Sequence, residues 1–124
     1  MRDCIIIGAG PAGLSAALYL ARYEKETLIL TGDLGGQTFN AGLIENYPAI
    51  DQIQGSDLIM KMVEQVKKYP KVELKYPAKV SNVTKTAEGF EVETEDGEKH
   101  QSKTVIIASG KHHRHLGLPG EEVS

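Results

Sequence analysis

At 124 residues and 40% hydrophobic content, the chain can bury one core and is too short for two domains of ordinary size. Its net charge of −3 argues against a nucleic-acid surface, which draws on clustered Lys and Arg. The single cysteine, Cys4, excludes an internal disulfide, and its place in an apolar run marks a small buried hydrophobe rather than a reactive thiol.

The first element is an apolar strand over residues 3–7, Asp3-Cys4-Ile5-Ile6-Ile7. A Gly-x-Gly-x-x-Gly turn, Gly8 to Gly13, follows at once, and residues 14–21 have the composition of a helix. That order suits a dinucleotide pyrophosphate. Gly8 permits the tight turn, Gly10 lets the backbone approach the phosphates, and Gly13 lets the helix pack closely on the strand. Pro11 fits the first helical turn, which has a spare N–H. A targeting peptide or membrane span is the rival, because Cys4 to Ala21 carries no charge. Gly8, Gly10, Pro11 and Gly13 would break such a helix, and no small-residue cleavage site precedes a polar mature start. With no export signal, a cytoplasmic setting and no membrane association are expected.

Residues 27–31 form the second strand and complete a βαβ unit. Residues 32–55 show neither helical nor strand period and contain Gly32, Gly35, Gly36, Gly42, Pro48 and Gly55. They read as a long functional loop leaving the carboxyl end of a parallel strand, where open α/β sheets bind ligands. Residues 56–69 read as a second helix with Leu58, Ile59, Met62, Val63 and Val66 on one face and Ser56 as N-cap. Its two methionines read as core, and Pro70 marks the stop. Residues 72–75 are a short third strand.

Alternation of apolar and polar residues then predicts an antiparallel meander over 79–83, 89–94 and 98–103, with Glu95-Asp96-Gly97 as a turn. Its acidic run, residues 91–98, reads as the exposed face of a hairpin. The apolar run 104–108 predicts a fourth, buried parallel strand, and the tail reads as loop. The expected parallel order is 72–75, 27–31, 3–7, 104–108, with the meander packed on one face. His112, His113 and His115, beside Lys111 and Arg114, point apart in an extended loop and have no carboxylate or cysteine at ligand spacing. No metal site follows from them, only a solvated basic loop. No residue is singled out as catalytic.

Four features occur in one order: Gly8 to Gly13; Gly35-Gly36-Gln37 with Glu45-Asn46-Tyr47-Pro48; the meander; and Val105-Ile106-Ile107-Ala108-Ser109-Gly110 followed by Leu116-Gly117-Leu118-Pro119-Gly120-Glu121. Together they resemble the FAD domain of the low-molecular-weight thioredoxin reductase family, across essentially the whole chain. The first and fourth features are shared by many two-dinucleotide flavoproteins, and the second is narrower. The resemblance implies an α/β, Rossmann-like three-layer FAD-binding domain with a parallel sheet and the inserted meander. It implies FAD as cofactor, NAD(P)H as electron donor, and a thioredoxin-like disulfide protein or a small disulfide as partner of the full-length protein. By position it puts Gly8, Gly10, Pro11 and Ala12 at the pyrophosphate and Thr31 and Gly32 at the adenosine ribose. Gly36, Gln37 and Asn46 fall towards the flavin, and Val80 and Gly110 on the adenine side.

Two departures bear on this. The end of the second strand, where most dinucleotide sites carry an acid for the ribose, holds Thr31, with Asp33 two residues later. The chain also has no Cys-x-x-Cys and no second Gly-x-Gly-x-x-Gly. Residues 1–124 are therefore expected to be a partial FAD domain, lacking its C-terminal half and the NAD(P)H domain. Such a chain should bind FAD weakly or not at all, reduce no disulfide, and expose apolar surface that favours self-association. The rivals are a ferredoxin–NADP reductase-type flavoprotein without the cysteine pair and a non-catalytic nucleotide-binding module. The long loop and the meander argue against a short NAD(P)-dependent dehydrogenase.

Overall fold

The structure is a computed structural model and describes residues 1–34, 43–44 and 53–108. In chain order the elements are β1 (Arg2–Ala9), α1 (Pro11–Arg22), β2 (Thr27–Leu34), β3 (Leu43–Ile44), β4 (Ile53–Gln54), α2 (Gly55–Lys67), β5 (Val72–Lys75), β6 (Val80–Lys85), β7 (Phe90–Thr94) and β8 (Lys99–Ile107). Six strands form one sheet in the order β5-β2-β1-β8-β7-β6. The β5-β2-β1-β8 half is parallel and the β8-β7-β6 half antiparallel. The expected parallel order is thus observed.

Continuous apolar runs in β1 and β2 exist because both faces of these two strands are covered. The run 104–108 of β8, expected to be buried as well, is not: Ile106 and Ile107 are 37% and 40% exposed, because the two core clusters take in only Val105 and Ala108 of that run. Cys4 and Ile6 of β1 and Ile29 of β2 pack with Leu14 and Ala17 of α1 and with Ile59, Val63 and Val66 of α2. The alternate residues Ile5, Ile7, Leu28 and Leu30 pack with Val80, Val83 and Val92 of the meander. Side chains of a strand alternate between faces, so one sequence run feeds two cores. The antiparallel half of the same sheet therefore folds back over the parallel half, with the helices on the opposite face, so the meander packs on one face as expected while remaining hydrogen-bonded through β8.

Several boundaries differ from the expectation. The meander strand at 98–103 and the parallel strand at 104–108 are one strand, β8. No glycine, proline or other turn residue separates Lys103 from Thr104, so nothing breaks the extended backbone. Ser102 is the handover point: it pairs with Phe90 of β7 on one side and with Arg2 of β1 on the other. Its hydroxyl is fully buried and donates to the Thr104 carbonyl at 2.7 Å, so the junction leaves no orphan. Helix α2 starts one residue early, at Gly55, which places Ser56 inside the first turn rather than at the N-cap. The 32–55 loop is interrupted, since β2 runs on to Leu34 and β3 pairs antiparallel with β4. Of the two methionines read as core, Met62 packs on the helix-side core while Met60 is 42% exposed. In the acidic run Glu95, Asp96 and Glu98 are exposed, but Glu91 and Glu93 are half-buried. Among the described residues no helix is long and apolar enough to cross a membrane.

The loop that ends α1 is tied back to β1. The Glu26 N–H donates to Asp3 Oδ2 at 2.9 Å, and Lys103 Nζ lies 3.6 Å from Asp3 Oδ1. The Glu26 N–H, with the Lys103 ammonium adding to it, holds the Asp3 carboxyl below its ordinary value. A carboxyl whose folded value is depressed contributes stability that is fully present above the unfolded value, roughly 3.9, and is lost as pH falls through the folded value. Asp3→Asn is therefore expected to lower the urea midpoint at pH 7 and to flatten its decline on acidification below about pH 4. Parallel curves for the two proteins down to acid pH would remove Asp3 from the account of acid stability.

Candidate functional site

The candidate site lies at the carboxyl ends of β1 and β2, where the first helix starts. Gly8 has φ 104°, a region that L side chains rarely adopt. Gly10 is the N-cap of α1, with Pro11 at the first helical position. Gly10 offers no side-chain cap, and the first turn carries no acidic residue. The first intrahelical bond runs from the Leu14 N–H to the Gly10 carbonyl at 3.0 Å, so the N–H groups of Ala12 and Gly13 precede it. Uncapped N–H groups and the positive end of the helix dipole favour an anion at this point.

Gly13 is what lets the helix approach so closely. A Cβ built there would stand 2.3 Å from the Gly8 carbonyl oxygen and 3.4 Å from the Ala108 Cβ. The Ala108 N–H donates to the Ile7 carbonyl at 2.8 Å, so the end of β8 closes the underside of the turn. The role of Ala108 was visible beforehand only as a small residue ending an apolar run.

Beside the turn, β2 carries a bulge. Ile7 pairs with Leu30 and Ala9 with Leu34, so residues 31–33 stand opposite the single residue Gly8. The Thr31 hydroxyl, 3% exposed, donates to the Asp33 carbonyl and closes this bulge. The Thr31 carbonyl accepts the Ala78 N–H at 2.7 Å. A Cβ on Gly32 would lie 3.4 Å from the Lys79 Cγ, an ordinary contact. The structure therefore gathers Gly8, Gly10, Pro11 and Ala12 at the turn, brings Thr31 and Gly32 beside it, and sets the segment leading into Val80 against Gly32. Val80 itself is 6% exposed and packs with Ile5, Ile7, Leu28 and Leu30. Its side chain is therefore taken up by the core and does not face a ligand. Gly36, Gln37, Asn46 and Gly110 lie outside the described residues, as do His112, His113 and His115.

These features fit a dinucleotide: a helix end that lacks its own cap, a third glycine with no room for a methyl, and a bulged second strand alongside. Cys4 is not part of the site. It is 2% exposed, and burial pushes its thiol above the ordinary value, which keeps it protonated and unreactive. Among the described residues no group of His, Cys, Asp and Glu is arranged to hold a metal.

Residues 2–124 match the pyridine nucleotide-disulphide oxidoreductase family. The thioredoxin reductase of Listeria monocytogenes is 41% identical over 123 residues, covering 97% of this chain and 37% of that protein. The crystal structure of Lactococcus lactis thioredoxin reductase superposes with a TM-score of 0.84 at 42% identity, covering 98% of this chain and 40% of its own. That of the Streptococcus pyogenes thioredoxin reductase gives 0.83 at 46% identity, with 98% and 39% covered. The chain thus spans about two fifths of the length of the proteins it matches. On the match over nearly its whole length, and on a fold and glycine turn that agree with it, the chain belongs to the pyridine nucleotide-disulphide oxidoreductase family.

Proposed function

We propose that residues 1–124 are the adenosine- and pyrophosphate-binding part of the FAD domain of a thioredoxin-reductase-like, NAD(P)H-dependent disulfide oxidoreductase. The remaining half of the FAD domain and an NAD(P)H domain would come from sequence beyond this chain. The observation that carries the reading is the uncapped start of α1, held against Gly8 by a glycine that admits no Cβ. In this reading Gly8, Gly10, Pro11 and Ala12 hold the pyrophosphate, Thr31 and Gly32 shape the ribose side, and the Val80 backbone borders the adenine. Gly36, Gln37, Asn46 and Gly110 complete the set on family resemblance alone. The flavin, when bound, supplies the redox chemistry, while the chain contributes binding and orientation. The disulfide-exchanging pair must lie elsewhere, because this chain has one cysteine. The acceptor would be thioredoxin or a small disulfide in the cytoplasm.

Titrating FAD into the chain and following flavin fluorescence tests this. Because the glycine turn and the uncapped start of α1 are formed within this chain, weak binding rather than none is expected: saturable, with a Kd above about 1 μM, displaced by ADP, and with no NADPH-dependent reduction of a disulfide. Failure of FAD and ADP alike to bind would refute the nucleotide site. Tight stoichiometric binding with disulfide turnover would refute the division of the protein proposed here.

A further inference from the structure

We propose that this chain pairs with a second copy of itself along the open half-edge of β8, as a weak two-fold dimer. β8 pairs with β1 as far as Ile107, but with β7 only as far as Ser102. Among the described residues no strand lies beside residues 103–107 on the side away from β1. Backbone groups alternate between the two edges of a strand, and the Ala108 N–H donates to Ile7 of β1. The N–H and carbonyl groups of Val105 and Ile107 therefore point to the open edge. Unpaired groups of that kind are a template for another strand.

The two outer strands of the sheet are protected against such pairing, and this half-edge is not. β5 has four residues, with Glu73 and Lys75 in ion pairs with Arg2 and Glu98. β6 carries a bulge between Val80 and Asn82 and ends in Lys85. Charges, bulges and short length are the usual devices against edge pairing. Residues 104–108, Thr104-Val105-Ile106-Ile107-Ala108, contain no charge, proline or glycine. The adjacent charge, Lys103, is drawn towards β1 by Asp3, whose Oδ1 lies 3.6 Å from its Nζ. Ile106 pairs with Ile6 and Ile107 with Ile7, so the edge exposes apolar surface on both faces of the sheet. A second copy brings an edge of the same chemistry, and antiparallel pairing about a two-fold axis needs no other complementary surface. With no charge in the paired segment and a net charge of only −3, little repulsion opposes it. So short a stretch buries far less than the roughly 1,200 Å² of a standard interface, and a Kd above about 10 μM is expected.

Sedimentation equilibrium of the whole chain between about 5 and about 500 μM tests this. The weight-average mass should rise from 13.5 kDa towards, and not beyond, twice that value. Ile106→Lys combined with Ile107→Lys puts charges on the edge and should keep the chain monomeric. Tyr19→Lys combined with Tyr23→Lys removes more exposed apolar surface elsewhere and should leave the association unchanged. Hydrogen exchange on the unaltered chain needs no variant to fold. Over the same rise in concentration the Val105 and Ile107 amides should exchange at least about fivefold more slowly, while those of β5 and β6 keep their rates. A mass constant at 13.5 kDa, growth beyond two copies, or unchanged association of the folded double-lysine variant would overturn the proposal. So would concentration-dependent protection on β5 or β6 in place of β8.

Discussion

Gly13→Ala is expected to lower the unfolding free energy by roughly 1–3 kcal/mol, the usual cost of forcing an extra methyl into a packed site. In most helical positions the same change would help by about 1 kcal/mol. Here the new Cβ would sit 2.3 Å from the Gly8 carbonyl oxygen, and the obstacle is backbone, not a side chain that can swing aside. Gly8 is held at φ 104° at the end of β1, and on the far side the Ala108 Cβ is already 3.4 Å away. Helix and strand must separate, which uncovers Leu14 and Ala17 on the helix-side core. The steric term therefore outweighs the propensity gain. Ser15→Ala, on the exposed face of the same helix, is the control and should move stability by under about 0.5 kcal/mol. Urea denaturation of both variants decides the matter. A Gly13→Ala protein as stable as the unaltered chain would mean that the close contact between α1 and β1 is not what holds the turn.

Gly10→Val should act in the opposite manner, sparing the fold and removing the ligand. Gly10 sits at φ −78° and ψ −177°, extended backbone that valine readily adopts. The cost to the fold is confined to a poorer N-cap, about 1 kcal/mol. The branched side chain, however, would stand at the mouth of the helix, in the space a pyrophosphate must enter to reach the N–H groups of Ala12 and Gly13. FAD and ADP affinity should fall at least a hundredfold, about 2.7 kcal/mol, while the far-ultraviolet circular dichroism stays unchanged. The two glycines thus separate by role: Gly13 holds the turn together, and Gly10 keeps it open.

Much of this arrangement was legible in the sequence because it depends on local rules. The apolar run 3–7, the glycine spacing and the apolar face of α2 each obey a short-range periodicity, so the βαβ unit and the parallel order could be read directly. The meander's alternation was equally plain, but its junction with the last parallel strand was not. Nothing local distinguishes a strand that stops at Lys103 from one that changes partners at Ser102, since that depends on which neighbours β8 acquires. The misplaced cap at Ser56 has a similar origin, because a good capping residue loses to tertiary packing that buries Gly55. Val80 illustrates the limit of positional reasoning. Its place beside the adenine side of the candidate site was expected, but its side chain belongs to the core under the meander. The bulge at residues 31–33 was hidden as well. Nothing in Thr31-Gly32-Asp33 marks it; only the pairing of Ala9 with Leu34 reveals it.

The most direct measurement is a flavin fluorescence titration of FAD into the unaltered chain and into Gly10→Val, with ADP as competitor. A saturable, ADP-displaceable signal is expected for the unaltered chain and none for the variant at the same concentrations. Matching titration curves for the two proteins would contradict the claim that the Gly8 to Gly13 turn is the dinucleotide site.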